Sequence, residues 1–550
     1  MITTRAFIGF LLLSAAACGG SAAAREAPNP VSAKLYEQHI ARLSADELEG
    51  RKPATEGEKK TLAYLTDAYR KAGLEPAGGS SYLQEVPLVE ITTGSDARVE
   101  LEGKPGVPEL GYARNMVVFT KRVVPEVKVE RSPLVFVGYG VVAPEFGWND
   151  YAGVDMRGKT AVILINDPGF ATGDESLFRG RALTYYGRWT YKFEEAARQG
   201  ATGALIVHET EPAAYPWETV VNSWTGPQLD KSSATGNADR AQFEGWIDLD
   251  AAKQLFAASA QDFDKLKASA NRRGFKAVEL GLTASASLRN AVRRSNSANV
   301  VGMIRGAKRP GEYIVYMAHW DHLGRAIGRT GDTIFNGAED NATGVSGLLA
   351  IADAYRRAKT PPARSIVFLA VTAEESGLLG SAHYVDNPLF PLAQTVAAIN
   401  MDAMYFGGPT RDVRVVGYGA SELDRYLADA ARAQDRRIEP EPTPEKGFFF
   451  RSDQFNFAKQ GVPSLYIKLG IDDREHGQEW GQKQQDEYTA VRYHRPADEY
   501  RPGVDLRGSV EDLQLLYAVG TRLASEKSFP SWSPDSEFRA VRERSRAIMR

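Results

Sequence analysis

Seven histidine and carboxylate side chains in the second half of this chain lie at positions where metal-binding or catalytic groups are expected. Most of them directly follow apolar, strand-like segments (EYIVYMA, RSIVFLAVTA and TVAAIN), and the others lie in NGAEDNATG and RYHRPADEY. They are His319, Asp321, Asp340, Glu374, Glu375, Asp402 and His494. Imidazole nitrogens and carboxylate oxygens are ligands that zinc accepts, and one carboxylate can bridge two ions. The pattern therefore predicts a metal site, with zinc as the expected metal.

Each of these residues also has a simpler explanation when it is taken alone. A histidine after a strand often completes a hydrogen-bonded turn, and paired glutamates such as Glu374 and Glu375 often begin an exposed helix. Asp340 could be a helix N-cap, because aspartate accepts hydrogen bonds from the free backbone N–H groups there. The chain has only 7 histidines, so their combination with carboxylates at strand ends favours the metal site.

The elements that must position these side chains alternate between strands and helices from Ala298 onward. Apolar runs such as EYIVYMAHW and RSIVFLAVTAEE are separated by helical patterns such as TGVSGLLAIADAYRRA. This alternation predicts an α/β fold with a mostly parallel sheet flanked by helices on both faces. Such sheets place ligand sites at the carboxyl ends of their strands, which is where the candidate ligands are expected to meet.

Length and composition limit what else the chain can be. With 550 residues, it exceeds the size at which one hydrophobic core usually stops growing, so more than one structural unit is expected. Its 67 basic and 70 acidic residues leave a formal net charge of -3, which gives no electrostatic reason to expect a nucleic-acid partner. Short β-rich runs between Ser132 and Ser287 predict a separate unit.

The first eighteen residues have the layout of an export signal, with Arg5 before an apolar run that is too short to span a bilayer. Cys18 is the only cysteine and follows three alanines, which resembles a bacterial lipoprotein signal. Ala15 stands where leucine is usual, so simple secretion or a free thiol remains the alternative. We expect an exported protein, periplasmic or anchored to the outer membrane through acylated Cys18, or alternatively secreted.

Five segments resemble, in order, those of the zinc-dependent M28 peptidase family, which includes aminopeptidases and carboxypeptidases. They are AHWDH, GAEDNATGVSGLLAIA, FLAVTAEESGLLGSAHY, INMDAM and YHRPADEY, and the match spans roughly Gly311 to Tyr500. The resemblance implies the phosphorylase/hydrolase-like α/β fold of zinc peptidases. The segment YGVVAPEFGWNDYAGVDMRGKTAVILIND resembles the β-rich protease-associated (PA) domain that is often inserted in this family.

The resemblance implies two zinc ions per chain and a role for each candidate ligand. One ion would be held by His319 and Asp402, the other by Glu375 and His494, and Asp340 would bridge the two. The chemistry implied is hydrolysis of a peptide bond, with peptides as the substrate partner.

Two further roles are carried over with the family's motif. Glu374 would be the general base, and Asp321 would orient His319 by accepting the proton of its other ring nitrogen. An aminopeptidase is the expected activity, with a carboxypeptidase or dipeptidase on the same site as the nearest alternative. A glutaminyl cyclase with a single zinc and a non-catalytic binding protein are more distant alternatives, because no ligand is missing.

Substrate-binding residues are less constrained by the sequence. Arg451, in FFFRSDQF, could bind a substrate carboxylate bidentately, although a surface salt bridge is the alternative. Asp453 lies in a segment expected to line the substrate pocket. There Gln454 stands where the family often has histidine, which leaves specificity open.

A donor for the reaction's oxyanion is also needed, and Tyr493 is one candidate, with Tyr405 and Tyr418 as equal alternatives. His322 is expected to be a structural group beside the site and not a ligand. These interpretations divide the chain into a signal (1–18), a tether (19–32), two parts of a peptidase domain (33–131 and 288–527), an inserted PA domain (132–287) and a basic tail (528–550).

Overall fold

The computed structural model describes residues 30–326 and 330–547. The predicted signal, Cys18 and most of the predicted tether lie outside the described residues, so export and acylation stay predictions. Within the described ranges no helix is both long enough and apolar enough to cross a membrane.

The strands form one large sheet and two small two-stranded ribbons. They are β1 (Glu75–Pro76), β2 (Leu83–Thr93), β3 (Arg98–Glu102), β4 (Met116–Phe119), β5 (Glu126–Phe136), β6 (Val142–Ala143), β7 (Trp148–Asn149), β8 (Thr160–Leu164), β9 (Gly203–Val207), β10 (Pro227–Lys231), β11 (Phe243–Ile247), β12 (Val278–Ile304), β13 (Arg309–His319), β14 (Gly324–Arg325), β15 (Ile334–Phe335), β16 (Arg364–Val371), β17 (Thr395–Asn400), β18 (Asp412–Val415), β19 (Arg437–Pro440) and β20 (Ser464–Leu469).

The α-helices lie between these strands and at both ends of the described chain. They are α1 (Ala33–Leu43), α2 (Glu56–Lys71), α3 (Pro168–Thr172), α4 (Trp189–Arg198), α5 (Thr210–Ala213), α6 (Trp217–Trp224), α7 (Leu249–Ala258), α8 (Phe263–Ala270), α9 (Thr343–Arg357), α10 (Leu379–Asp386), α11 (Leu423–Ala433), α12 (Gln454–Lys459), α13 (Gln478–Glu487), α14 (Arg507–Ser525) and α15 (Arg539–Ala547).

Parallel strands form the centre of the sheet in the second half of the chain. Strand β13 lies between β16 and β17 and pairs in parallel with both, and β17 pairs in parallel with β20. Strands β12 and β18 flank this group and run antiparallel to β16 and β20. The predicted α/β fold with a mostly parallel sheet flanked by helices is therefore confirmed.

Alternate residues of β13 face two different hydrophobic cores. Ile314 and Tyr316 pack in a core that includes α9 and α14, whereas Val315 and Met317 pack on the opposite face against α10 and α12. Side chains of a strand point alternately to the two faces of the sheet. Burial on both faces explains why this strand is a continuous apolar run.

A second unit, built from β3–β5, β8, β9 and β11 with their helices, has cores that draw on residues between 97 and 288. Its parallel strands β5, β8, β9 and β11 are interleaved with helices such as α4, so the unit is α/β and less purely β than expected. Strands β3 and β4 pack in it although they precede residue 132. The predicted domain boundaries and the PA assignment stay predictions.

Strand β12 joins the two units. Its first half pairs with β5 of the second unit, and its second half pairs with β2 and β16. A second connection is the salt bridge between Lys459 on α12 and Glu194 on α4, with an Nζ–Oε1 distance of 3.1 Å. The hydroxyl of Tyr185 donates to the same glutamate at 2.5 Å. These contacts hold the second unit beside the helix that follows Arg451.

The predicted basic tail is docked on the protein where it is described. Arg542 on α15 is only 6% exposed and donates to the backbone carbonyls of Leu392 and Thr395 at 3.2 and 2.7 Å. This part of the tail is therefore a packed helix.

Candidate metal centre

The carboxyl ends of three neighbouring strands bring most of the candidate ligands to one edge of the sheet. His319 is the last residue of β13, and Asp402 follows the end of β17 by two residues. Glu374 and Glu375 follow the end of β16. Because His319 is in register with Val371, the last residue of β16, the side chains after these strands converge.

Asp340 lies between two histidines that come from distant parts of the chain. Its Oδ1 atom is 3.1 Å from Nε2 of His319, and its Oδ2 atom is 3.3 Å from Nε2 of His494. His319 Nε2 is also 3.4 Å from Asp402 Oδ1, and His494 Nε2 is 3.1 Å from Glu375 Oε2. The structure thus brings together all five residues expected to bind metal, with Asp340 central to both pairs.

His322, expected from the sequence to be a structural group beside the site, contacts one of the candidate ligands. Its Nδ1 atom is 2.6 Å from Oε1 of Glu375. Its Nε2 atom is buried and has no hydrogen-bond partner among the described residues. The signal for it was a second histidine three residues after His319 in AHWDH, in a chain with 7 histidines.

The donor atoms fit a metal ion of the zinc type. His319, Asp340 and Asp402 offer ligand atoms that lie within 4.8 Å of one another, and so do His322, Asp340 and Glu375. A set of imidazole nitrogens and carboxylate oxygens matches what zinc prefers.

The two adjacent glutamates have opposite electrostatic environments. Burial raises the pKa of the Glu374 carboxyl well above its usual range, and Asp402 and Glu375 raise it further. Burial and nearby carboxylates also oppose ionisation of Glu375, but contacts with His322 and His494 outweigh them and lower its pKa to about 2. Glu375 is therefore suited to be a ligand, and Glu374 is suited to accept a proton.

The Asp321 carboxylate does not make the hydrogen bond to the ring of His319 that the resemblance implied. The ring Nδ1 of His319 is 3.1 Å from the backbone carbonyl of Asp321, while the nearest carboxylate oxygen is 3.9 Å away. The carboxylate instead accepts the backbone N–H groups of Glu374 and Glu375, at 3.0 and 3.4 Å. Asp321 thus fixes the turn that carries both glutamates and orients His319 through its backbone.

We expect Asp321→Ala to weaken zinc binding by about 10- to 100-fold, the usual cost of losing a group that supports metal ligands. The reason is that the Glu374–Glu375 turn loses two of its hydrogen bonds. Zinc titration of the apo protein would check this. Asp353→Ala, which removes a salt bridge with Arg357 on α9, is the matched control, and equal zinc affinities in the two variants would contradict the assignment.

Two residues support the cluster from outside the predicted ligand set. Asp498 accepts the backbone N–H groups of Glu339 and Asp340, at 3.0 and 3.1 Å. Arg51 is buried and donates to backbone carbonyls on both sides of the site, including Trp320 at 2.8 Å. The N-terminal segment is thereby tied to the metal centre.

Asp402 is held by groups that the sequence did not identify. Ser452 Oγ donates to its Oδ2 at 2.5 Å, and Lys468 Nζ donates to its backbone carbonyl at 2.9 Å. Asp453 and Gln454 are fully buried, and Asp453 accepts the hydroxyl of Ser381 at 2.5 Å. We therefore interpret Asp453 as a support of the Ser452 segment, and not as a substrate contact.

The remaining predicted substrate residues lie at the surface near the cluster. Tyr493 is 44% exposed, and its ring stacks on that of His494 with centroids 3.9 Å apart. Arg451 is exposed and directly precedes Ser452. Tyr418, in contrast, lines a separate cavity of about 250 Å³, whereas Tyr493 contacts a candidate ligand.

Comparison with known proteins finds matches to the segment that carries this centre. Residues 299–512 match the sequence profile of Peptidase family M28. Aminopeptidase NAALADL1 of Rattus norvegicus is 33% identical over 135 residues, covering 24% of this chain and 17% of the relative. A glutamate carboxypeptidase 2 homolog of Caenorhabditis elegans is 32% identical over 196 residues, covering 34% and 23%.

The matched region spans less than a quarter of the length of these curated relatives. Among solved structures, an aminopeptidase from Aneurinibacillus sp. strain AM-1 aligns with 91% of this chain and 96% of its own. Its sequence identity is 18% and its TM-score is 0.48.

Proposed function

We propose that this protein is a zinc-dependent exopeptidase that removes residues from the amino ends of peptides, because residues 299–512 match the sequence profile of peptidase family M28. The observation that carries the proposal is the position of Asp340, whose two oxygens each face the Nε2 atom of a different histidine. A carboxylate in that position is suited to bridge two metal ions.

The chain offers one group of metal ligands on each side of the Asp340 carboxylate. His319 and Asp402 would hold one zinc ion, and His494 and Glu375 the other. Zinc bound there would supply a Lewis acid for the scissile carbonyl and would lower the pKa of a water molecule. The histidine rings are already aimed at carboxylate oxygens, so few rotamer changes are needed to bind metal.

Glu374 is the residue that would move the proton. No described side chain donates a hydrogen bond to its carboxylate, although it lies in the same cluster as His319 and Glu375. Its raised pKa favours a carboxyl that can take a proton from water and return it to the leaving amine. Asp321 would keep Glu374 in position through the backbone N–H of that residue.

A carboxypeptidase is the second candidate, because the exposed Arg451 could recognise a free carboxyl end. The metal centre serves both activities equally, since it acts on the amide while the surrounding pocket selects the terminus. The curated relatives include both names, an aminopeptidase and a glutamate carboxypeptidase homolog.

A substrate panel distinguishes the two activities. We expect the purified zinc-loaded protein to hydrolyse leucine p-nitroanilide and peptides with a free amino end, and to leave amino-blocked peptides intact. Chromatographic identification of the released amino acid would establish which end is cut. Release from amino-blocked peptides alone would assign a carboxypeptidase, and bound zinc without any hydrolysis would contradict the peptidase function.

A further inference from the structure

The distances between nitrogen and carboxylate oxygen atoms in the cluster fall into two classes. A tetrahedral zinc ion with bonds of about 2.0–2.1 Å places its ligand atoms about 3.3 Å apart. The Nε2 atoms of His319 and His494 each lie 3.1 to 3.4 Å from two carboxylate oxygens, which fits ligands that share an ion. His322 Nδ1 and Glu375 Oε1 are only 2.6 Å apart, which is a short hydrogen bond. The geometry therefore makes His322 a hydrogen-bond partner of a ligand and not a ligand itself.

The two oxygens of Glu375 have different partners. Its Oε1 atom contacts Nδ1 of His322, whereas its Oε2 atom faces Nε2 of His494 at 3.1 Å. An ionised carboxylate only accepts hydrogen bonds, so the Nδ1–H group of His322 is the donor. Oε2 is thus the oxygen that stands among the other candidate ligands, and Oε1 is held away from them.

The ring of His322 is fixed in this orientation by its surroundings. Its side chain is fully buried, and the ring of His494 packs against it with centroids 5.7 Å apart. The backbone of Gly337, with φ +54°, comes so close that a Cβ atom there would lie 2.6 Å from Cγ and Cδ2 of the His322 ring. Glycine is the residue that permits such a close approach in this conformation.

The other ring nitrogen of His322 indicates which protonation form is present. Its Nε2 atom is buried and has no hydrogen-bond partner among the described residues. A proton on that atom would leave a buried N–H group unpaired, which is unfavourable. The neutral ring with its proton on Nδ1 fits this environment, so His322 offers one fixed donor, and that donor is used by Glu375.

The number of zinc ligands gives this hydrogen bond a functional consequence. Catalytic zinc sites combine three protein ligands with one position that is kept for water or substrate. On the side of His494, the ring of that residue, Asp340 and one oxygen of Glu375 already supply three ligands. A second oxygen from Glu375 would fill the remaining position.

We propose that His322 is a positioning residue that restricts Glu375 to binding zinc through Oε2 alone, so that the ion beside His494 keeps a position for water or substrate. This inference rests on the proposed zinc peptidase function and deepens it, because it concerns how substrate reaches the metal. His322 acts on the reaction only through Glu375.

His322→Leu is expected to keep both zinc ions and to lower kcat by about 10- to 100-fold, the usual range for a residue that supports a metal ligand. Without the Nδ1 donor, Oε1 is free to join Oε2 on the ion and to occupy the substrate position. Cobalt substitution reports this change without turnover, because visible absorption by Co²⁺ weakens as its coordination number rises above four. We expect the cobalt-loaded leucine variant to absorb more weakly than the cobalt-loaded unaltered protein.

His322→Asn separates the hydrogen bond from the packing of the ring. The amide Nδ2 of asparagine stands close to the position of the imidazole Nδ1 and donates to the same oxygen, so this variant is expected to restore the cobalt spectrum and part of kcat. His208→Leu is the matched control, because His208 is a similarly buried histidine of the second unit, 3% exposed, with Nε2 at 3.0 Å from the backbone carbonyl of Tyr215. It is expected to keep the spectrum and kcat of the unaltered protein.

Three results would overturn the proposal. Loss of one metal ion from His322→Leu would make His322 necessary for metal binding, and an unchanged cobalt spectrum would show that Glu375 is not restricted by it. A spectrum that asparagine fails to restore would assign the effect to packing. His322→Ala offers the same comparison if the leucine variant does not fold. If the unaltered protein hydrolyses no peptide, the peptidase function fails, and the cobalt spectra still decide the role of His322.

Discussion

Glu374→Gln is expected to lower kcat for peptide hydrolysis by about 10²- to 10⁴-fold, the range attributed to a positioned general base, while zinc stays bound. Glutamine has nearly the same shape but cannot accept a proton from water. The backbone N–H of residue 374 would still bond to Asp321, so the turn and the neighbouring ligand Glu375 keep their positions. Steady-state kinetics with zinc content by atomic absorption would measure both effects.

Glu375→Gln is the matched comparison, because the two residues share one turn and differ in their contacts. Glu375 contacts His322 and His494 directly, so this variant is expected to lose zinc together with activity. If Glu374→Gln also lost its zinc, Glu374 would be a ligand and not the base. A Glu374→Gln protein with nearly unchanged kcat would remove the residue from the mechanism.

Asp340→Ala is expected to abolish activity and to reduce zinc well below two ions per chain. Its carboxylate is the only one in the described cluster that lies beside both His319 and His494, so both ions lose a ligand in one substitution. His319→Ala should weaken zinc binding at the His319 and Asp402 group and leave the group of His494 and Glu375 intact. Zinc titration of the apo proteins, followed by hydrolysis assays, would show the two patterns.

Zinc should also stabilise the folded protein, because it binds a cluster of buried carboxylates that forms only on folding. At free zinc 1,000-fold above the dissociation constant the expected gain is about 4 kcal/mol, which thermal unfolding with and without a chelator would detect. Asp340→Ala should lose most of this gain. His383→Ala is the control, because His383 contacts none of the candidate ligands in the described structure, and equal losses in both variants would contradict the site.

The contacts of Asp321 and Asp498 explain why substituting one metal ligand should change zinc binding or activity without disturbing the rest of the site. Asp321 and Asp498 bond to backbone N–H groups of the turns that carry Glu374 and Asp340, so ligand substitutions need not disturb the backbone. The turns that carry Glu374 and Asp340 are therefore held by backbone hydrogen bonds that do not require the ligand side chains.

The sequence by itself determined the sheet and the five candidate ligands. Apolar runs such as that of β13 indicate burial on both faces of the sheet, because a strand buried on both faces must be apolar throughout. Residues that follow such runs lie at the edge where ligands bind. These signals are local, but His319, Glu375 and Asp402 each have a simpler explanation when taken alone, so it is their combination that predicts the site.

The tertiary structure alone decided which groups touch. The contact of His322 with Glu375 and the bonds of the Asp321 carboxylate to a turn more than fifty residues away depend on strand register. Local spacing carries no information about such contacts, because residues distant in sequence meet only once the whole sheet and the second unit have been assembled.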